Sequence, residues 1–202
     1  MHDPRGHYLE TFCEVDLSAF GRNIEKIRQW AGGREIALAV KANAYGHGVV
    51  PICREASMHH IRHFGVATLV EGVEIRDAGI EGEVIILTPP TLEQIPSVVY
   101  HDLSPNVVNR QFAEALSAEA TNARKTIGIH IEIDTGMGRT GIPWYDAVGE
   151  VYAISRLPGI SLIGVFSHFP VADNNNDSDM EFTKMQISRF SQILTSLERG
   201  GV

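Results

Sequence analysis

The stretch Ile36-Ala37-Leu38-Ala39-Val40-Lys41-Ala42-Asn43-Ala44-Tyr45-Gly46-His47-Gly48 decides how the rest of the chain is read. Its five leading apolar residues predict a short strand buried on both faces. Lys41 follows at once. Small residues, a tyrosine and two glycines come next and signal a loop into a helix. Burial disfavours an ammonium ion, so a lysine at the end of such a strand shifts toward the neutral amine. A neutral amine is what imine formation with a carbonyl requires. From these residues alone, an exposed lysine at a strand end is an equally good reading.

Working outward, residues 8–16 alternate loosely and predict an isolated N-terminal strand. The chain then divides into a strand segment, 1–16, and a domain, 17–202. Ser18 is the expected N-cap of a helix carrying Phe20, Ile24, Ile27 and Ala31, which Gly32-Gly33 ends. Beyond the opening stretch a helix is predicted over Val49–Met58, with Pro51 tolerable only in its first turn. Strands are predicted over 64–69, 84–87, 103–107, 127–133 and 162–166, with helices between them. Pro143 suits the first turn of the helix carrying Ala147, Val151 and Ile154. Thr91/Gln94 and Ser178/Glu181 have capping-box spacing.

Six strands alternating with six helices mean a parallel sheet in an α/β fold. An open doubly wound sheet usually begins with Gly-x-Gly-x-x-Gly, which Gly46-His47-Gly48 is not. In a closed (β/α)8 TIM-type barrel, chemistry collects at the carboxyl ends of the strands. Lys41, Arg139 and His168 sit at such ends, so the barrel is favoured, preceded by the N-terminal strand. It is incomplete, with about six βα units. Val202 falls where the next strand would begin, so the chain is expected to be truncated or completed by another polypeptide.

The bulk properties exclude several classes. The net charge of −8 argues against nucleic acid and anionic membranes as partners. No apolar run suits a signal peptide or a membrane span, and the two cysteines make no disulfide framework. A cytoplasmic location follows as the expectation.

The loop Asp134-Thr135-Gly136-Met137-Gly138-Arg139-Thr140-Gly141 lets backbone approach a ligand closely and offers a guanidinium fork to a carboxylate or an aromatic oxygen. On the strand before it, His130 and Glu132 share one face and the isoleucines the other. His59 and His63 have i, i+4 spacing, but no cysteine or carboxylate pattern accompanies them, so no metal is expected. Residues 173–177 read as a solvated loop rather than a calcium site. A lysine, an arginine and a histidine at one barrel mouth suit imine chemistry with an electron-sink cofactor.

Residues 39–48 resemble the cofactor-attachment motif of the alanine racemase family. Residues 134–141 resemble its second signature, 164–169 its strand-six segment and 14–18 its entry. The resemblance runs in order from about residue 8 to 199. It implies an amino-acid racemase using pyridoxal 5'-phosphate, with Lys41 holding the cofactor as an aldimine and then serving as one of two bases. It implies that Tyr45 binds the cofactor phosphate. Arg139 would meet the cofactor's phenolic oxygen and the substrate carboxylate, and His168 would stand beside the ring. Many members carry a carbamylated lysine where this chain has Glu132, so Glu132 would supply that negative charge and position Arg139. The family's second base is a tyrosine of a C-terminal β domain, supplied by the partner of a homodimer and absent from this chain. The chain alone is therefore expected to be nearly inactive. The substrate expected is alanine, in D-alanine and cell-wall precursor supply. The rivals are a non-catalytic pyridoxal-phosphate-binding barrel, a decarboxylase of the same barrel type and an inactive fragment.

Overall fold

The computed structural model of the chain describes residues 12–202. The elements run α1 (Leu17–Ala31), β1 (Ala37–Ala39), a single turn α2 (Lys41–Tyr45), α3 (Val49–Met58), β2 (His63–Val66), α4 (Leu69–Asp77) and β3 (Glu83–Ile86). A 3-10 turn (Leu92–Gln94) leads into α5 (Ile95–Tyr100), β4 (Ser104–Val107), α6 (Arg110–Asn122) and β5 (Ile127–Asp134). Then come β6 (Ile142–Pro143), α7 (Ala147–Ser155), β7 (Ile160–Phe166) and α8 (Asp177–Arg199).

All strand pairs are parallel, and the order is β1-β2-β3-β4-β5, with β7 on the body of β5. The two-residue β6 pairs only with the end of β5, through Ile133 and Asp134. Neighbours in sequence are thus neighbours in space, with no reversal of strand order. A doubly wound sheet has such a reversal and a barrel does not. The fold is an incomplete (β/α)8 barrel: among the described residues β1 pairs only with β2 and β7 only with β5.

Helices cover one face of this sheet. α4 packs on β2 and β3, α6 on β4 and β7, and α7 on β7, while neighbouring helices touch one another. Ile127, Ile129, Ile131 and Ile133 of β5 are buried in the main apolar cluster. Gly128, His130 and Glu132 alternate with them and occupy the opposite face, as expected from the sequence. Among the described residues no helix is long and apolar enough to cross a membrane.

Several expectations need correction. β1 is not buried on both faces: Ala37 and Ala39 are exposed and Leu38 is half-buried, because β1 is an edge strand covered on one face only. Residues 12–16 form no strand, and the rest of the predicted N-terminal strand lies outside the described residues. Asp16, not Ser18, caps α1, accepting from the Ala19 amide. Asn176, not Ser178, caps α8. The predicted strand 64–69 stops at Val66, because Thr68 and Glu71 form a capping box that opens α4. Pro143 lies in β6 and not in a helix. The His59/His63 pair is not on one helix, since α3 ends at Met58 and His63 belongs to β2. His59 bonds Glu25 and Glu55, whereas His63 bonds Glu35 and Glu83.

On the face without helices, Glu83 lies between two imidazoles, 2.8 Å from His63 Nδ1 and 2.8 Å from His130 Nε2. Burial pushes the Glu83 carboxyl up, but the hydrogen bonds from His130 and His63 outweigh it and hold it at about 2. For His63, burial acts downward and the bonds to Glu83 and Glu35 act upward, leaving it raised. The Glu83 contribution is present above the unfolded carboxylate value, about 4.3, and lost as pH falls through its folded value. The His63 contribution is complete below the unfolded imidazole value, about 6.5, and lost as pH rises through the raised one. Glu83→Gln is therefore expected to destabilise the fold most between about pH 4.5 and 6.5. Chemical denaturation of both forms across that range checks it, and a difference independent of pH would overturn the charge argument.

Candidate active site

The ends of the strands place the chemistry. The Val40 amide donates to Gly65 O at 2.8 Å, so β1 stays locked to β2 up to the residue before Lys41. The backbone then does something the sequence did not announce. Ala42, Asn43, Ala44 and Tyr45 have φ of 52°, 54°, 51° and 53°. This is one turn of left-handed helix. Asn tolerates that region, but each residue with an ordinary side chain costs about 1–2 kcal/mol there, so Ala42, Ala44 and Tyr45 together cost roughly 3–6 kcal/mol. Such a conformation persists only where its surroundings over-determine it.

They do so here. Ala44 N donates to Val40 O at 2.8 Å, Gly46 N to Ala42 O at 3.0 Å, and Gly48 N to Asn43 O at 3.0 Å. Asn43 Oδ1 accepts from Val49 N at 2.8 Å and so caps α3 with a residue of the turn. Glu71 Oε1 accepts from Ala42 N at 2.8 Å. The turn aims Lys41 into a cleft of about 370 Å³ lined by Lys41, Ala67, Leu87, Glu132, Arg139 and His168, among others. The lysine is half-buried there. Tyr45 stays outside the lining and is 59% exposed. Four of the five residues singled out from the sequence therefore meet in one cleft, and Tyr45 is not among its lining residues.

The Arg139 loop is built from its first residue. The Asp134 carboxylate accepts from Gly136 N at 2.9 Å and from Gly138 N at 3.0 Å, folding the loop back on itself. Gly141 closes it at φ +114°, where a Cβ would stand 2.8 Å from Asp134 N. Only glycine fits both the angle and the space.

Two residues of α8 fasten this loop from behind. Gln186 is fully buried, and its Nε2 donates to Thr135 Oγ1 at 3.0 Å and to His168 O at 3.1 Å. Arg189 donates to Thr135 O at 2.8 Å. Ser167 joins the two segments by donating to Ile133 O at 2.8 Å while accepting from the Thr135 hydroxyl at 2.8 Å. One amide thus ties the arginine loop to the histidine segment. Sequence reading missed this. The available signal was that Gln186 and Arg189 fall in the same helical stripe as Phe182, Ile193 and Leu197.

Glu132 is 3% exposed. Its Oε2 accepts from Asn106 Nδ2 at 2.8 Å, and its own amide donates to Asn106 Oδ1 at 3.2 Å. Asn106 also donates to Leu87 O at 2.8 Å. Burial pushes the Glu132 carboxyl up, against the pull of the Asn106 bond and the Arg139 charge. Glu132 and Arg139 share the cleft without a direct ion pair among the described residues, so the link between them is through the field. Asn106 was also missed; it sits in the weakest predicted strand, where nothing marked it.

His168 is shifted down, first by burial and then by the Arg139 and Lys41 charges. Its imidazole is therefore held neutral at neutral pH. Chemically, the cleft offers a primary amine, a guanidinium, a neutral imidazole and one buried carboxyl. That set receives an anion bearing a carbonyl group.

Comparison with known proteins identifies the family of the chain. The family model "Alanine racemase, N-terminal domain" matches residues 15–202. The alanine racemase of Carboxydothermus hydrogenoformans is 35% identical over 95% of this chain and 51% of its own length. That of Clostridium tetani is 34% identical over 97% of this chain and 50% of its own. The chain spans about half the length of the curated relatives it matches. Among solved structures, the alanine racemase of Bacillus anthracis with bound L-Ala-P aligns with a TM-score of 0.85 at 30% identity, over 97% of this chain and 50% of that one. The family is pyridoxal-phosphate dependent. By its sequence, its strand order and the strand-end positions of its lysine and arginine, the chain belongs to the alanine racemase N-terminal domain family.

Proposed function

We propose that the chain is the cofactor-binding part of a pyridoxal-phosphate-dependent racemase that interconverts L- and D-alanine. The observation that carries this is the placing of the Lys41 amine and the Arg139 guanidinium on one cleft, at the carboxyl ends of parallel strands. The donor set fits the cofactor. An amine is the attachment point for its aldehyde, and a guanidinium suits its phenolic oxygen. When bound, the cofactor supplies a ring that spreads the negative charge left at an alpha carbon after its proton departs.

The chain's own groups divide the remaining work. Lys41 Nζ holds the cofactor and moves a proton at one face of the alpha carbon. Arg139 orients the substrate carboxylate. His168, being neutral, hydrogen-bonds beside the ring without adding a third positive charge. Tyr45 binds the phosphate from the mouth of the cleft. Glu132, fixed by Asn106, sets the field in which Arg139 rests. Racemisation needs a second proton carrier on the opposite face. We assign it to the C-terminal part of a partner subunit in a homodimer. The setting proposed is cytoplasmic, in D-alanine supply for cell-wall precursors.

Two experiments test this reading. Borohydride reduction of the intact protein with pyridoxal phosphate is expected to leave a stable adduct on Lys41, located by peptide mass spectrometry and lost in Lys41→Ala. L-Alanine is expected to appear from D-alanine once the C-terminal part of a partner subunit is supplied as well. An adduct without turnover would instead identify a non-catalytic cofactor-binding barrel or an inactive racemase part, and no adduct would sink the assignment. Separately, Glu132→Gln is expected to lower turnover by about tenfold or more, as removal of a group supporting a binding residue does. Wild-type kinetics in that variant would overturn the role given to Glu132.

A further inference from the structure

Glu71 has more bonds than a helix cap requires. It is the third residue of α4 and forms a capping box with Thr68. For that purpose one carboxylate oxygen is enough: Oε2 accepts from Thr68 N at 3.2 Å, and also from Ala67 N at 2.6 Å. The other oxygen, Oε1, turns away from α4 and accepts from Ala42 N at 2.8 Å. Ala42 immediately follows Lys41 and is the first residue of the left-handed turn. Ala67 lines the same cleft as Lys41. One carboxylate therefore joins the end of β1, the end of β2 and the start of α4, across 29 residues of chain.

We infer that Glu71 is the positioning residue for Lys41: its second oxygen holds the Ala42 amide, pins the left-handed turn at its origin and thereby fixes the direction of the lysine side chain. The inference rests on the proposed role of Lys41 and deepens it. The physical ground is the unfavourable backbone. Val40, just before Lys41, is tied to Gly65 of β2, but among the described residues the Glu71 bond is the one that carries residues 42–45 to a partner outside the stretch 40–49. Internal bonds define the shape of the turn, and the Glu71 bond orients its first residue against the start of α4. A hydrogen bond to a charged acceptor is also among the stronger kinds.

The two functions of Glu71 can be separated. Gln serves in a capping box, so Glu71→Gln keeps the cap of α4. Its amide NH2, however, cannot accept from Ala42 N–H. Thr68→Ala does the converse: it removes the hydroxyl that accepts from Glu71 N and leaves the carboxylate on Ala42. On the intact protein, three quantities are measured: hydrogen exchange at the Ala42 amide, the rate of borohydride-trapped adduct formation between pyridoxal phosphate and Lys41, and the melting temperature. Glu71→Gln is expected to speed Ala42 exchange and slow adduct formation, each by about tenfold or more, the usual effect of losing a charge-assisted hydrogen bond. Thr68→Ala is expected to lower the melting temperature and leave the other two readings unchanged. Unaltered Ala42 exchange in Glu71→Gln would overturn the inference, as would the same losses in both variants, which would make Glu71 a cap and nothing more. If the wild-type protein forms no adduct, the assignment of Lys41 fails by itself, and exchange at Ala42 alone decides whether Glu71 holds the turn.

Discussion

Every strand in this sheet runs parallel to its neighbours, and the site depends on that single constraint. Parallel neighbours require a crossover through a helix, and the crossover returns each strand with its carboxyl end at the same rim. Lys41, Ala67, Leu87, Arg139 and His168 come from separate units, yet they line one cleft because each follows or ends a strand. A single antiparallel strand would carry its terminal residue to the far rim. The same alignment sorts polarity by height on the face without helices. Glu83 and His63 lie at the amino ends of β3 and β2, Asn106 and Glu132 further along β4 and β5, and the cations at the carboxyl ends. The first two levels are satisfied by their own partners, so these polar groups are stable inside the sheet without neutralising the cleft.

Much of the fold was legible because its signals are local and redundant. The isoleucines of β5 declare their face by alternation. The helix over Val49–Met58 was expected with the bounds it has. The order of units favours a barrel because no glycine fingerprint follows β1. What sequence reading lost was decided by non-local facts. β1 reads as doubly buried from its five apolar residues, but its burial depends on what lies beside an edge, which no residue of β1 encodes. The caps moved by two residues, from Ser18 to Asp16 and from Ser178 to Asn176, because several good capping residues stand in a row and the first helical amide selects among them.

The site was legible in its charged members and illegible in their supports. Lys41, Arg139, Glu132 and His168 are chemically conspicuous, and each sits where a strand ends or where alternation turns it away from the helices. Asn106, Gln186 and Glu71 are not conspicuous. Each has an ordinary alternative explanation in sequence, as a weak-strand asparagine, a helix-surface glutamine and a capping glutamate. Their importance lies in partners 19 to 51 residues away, at Leu87, Thr135 and Ala42. Local patterns cannot show such distances. The resemblance to known sequences named the expected reacting groups and one support, Glu132, but not Asn106, Gln186 or Glu71.

The left-handed turn also constrains the order in which the molecule assembles. Its residues are uphill in isolation, so the stretch after β1 does not adopt this shape by itself in a newly made chain. The partner that orients its first amide belongs to α4, which must be synthesised, coiled and docked on β2 before it can act. Lys41 is thus encoded early but oriented late. While the chain is still growing, its amine can be present, exposed and chemically competent with no defined direction. A defined direction for that amine waits for tertiary structure.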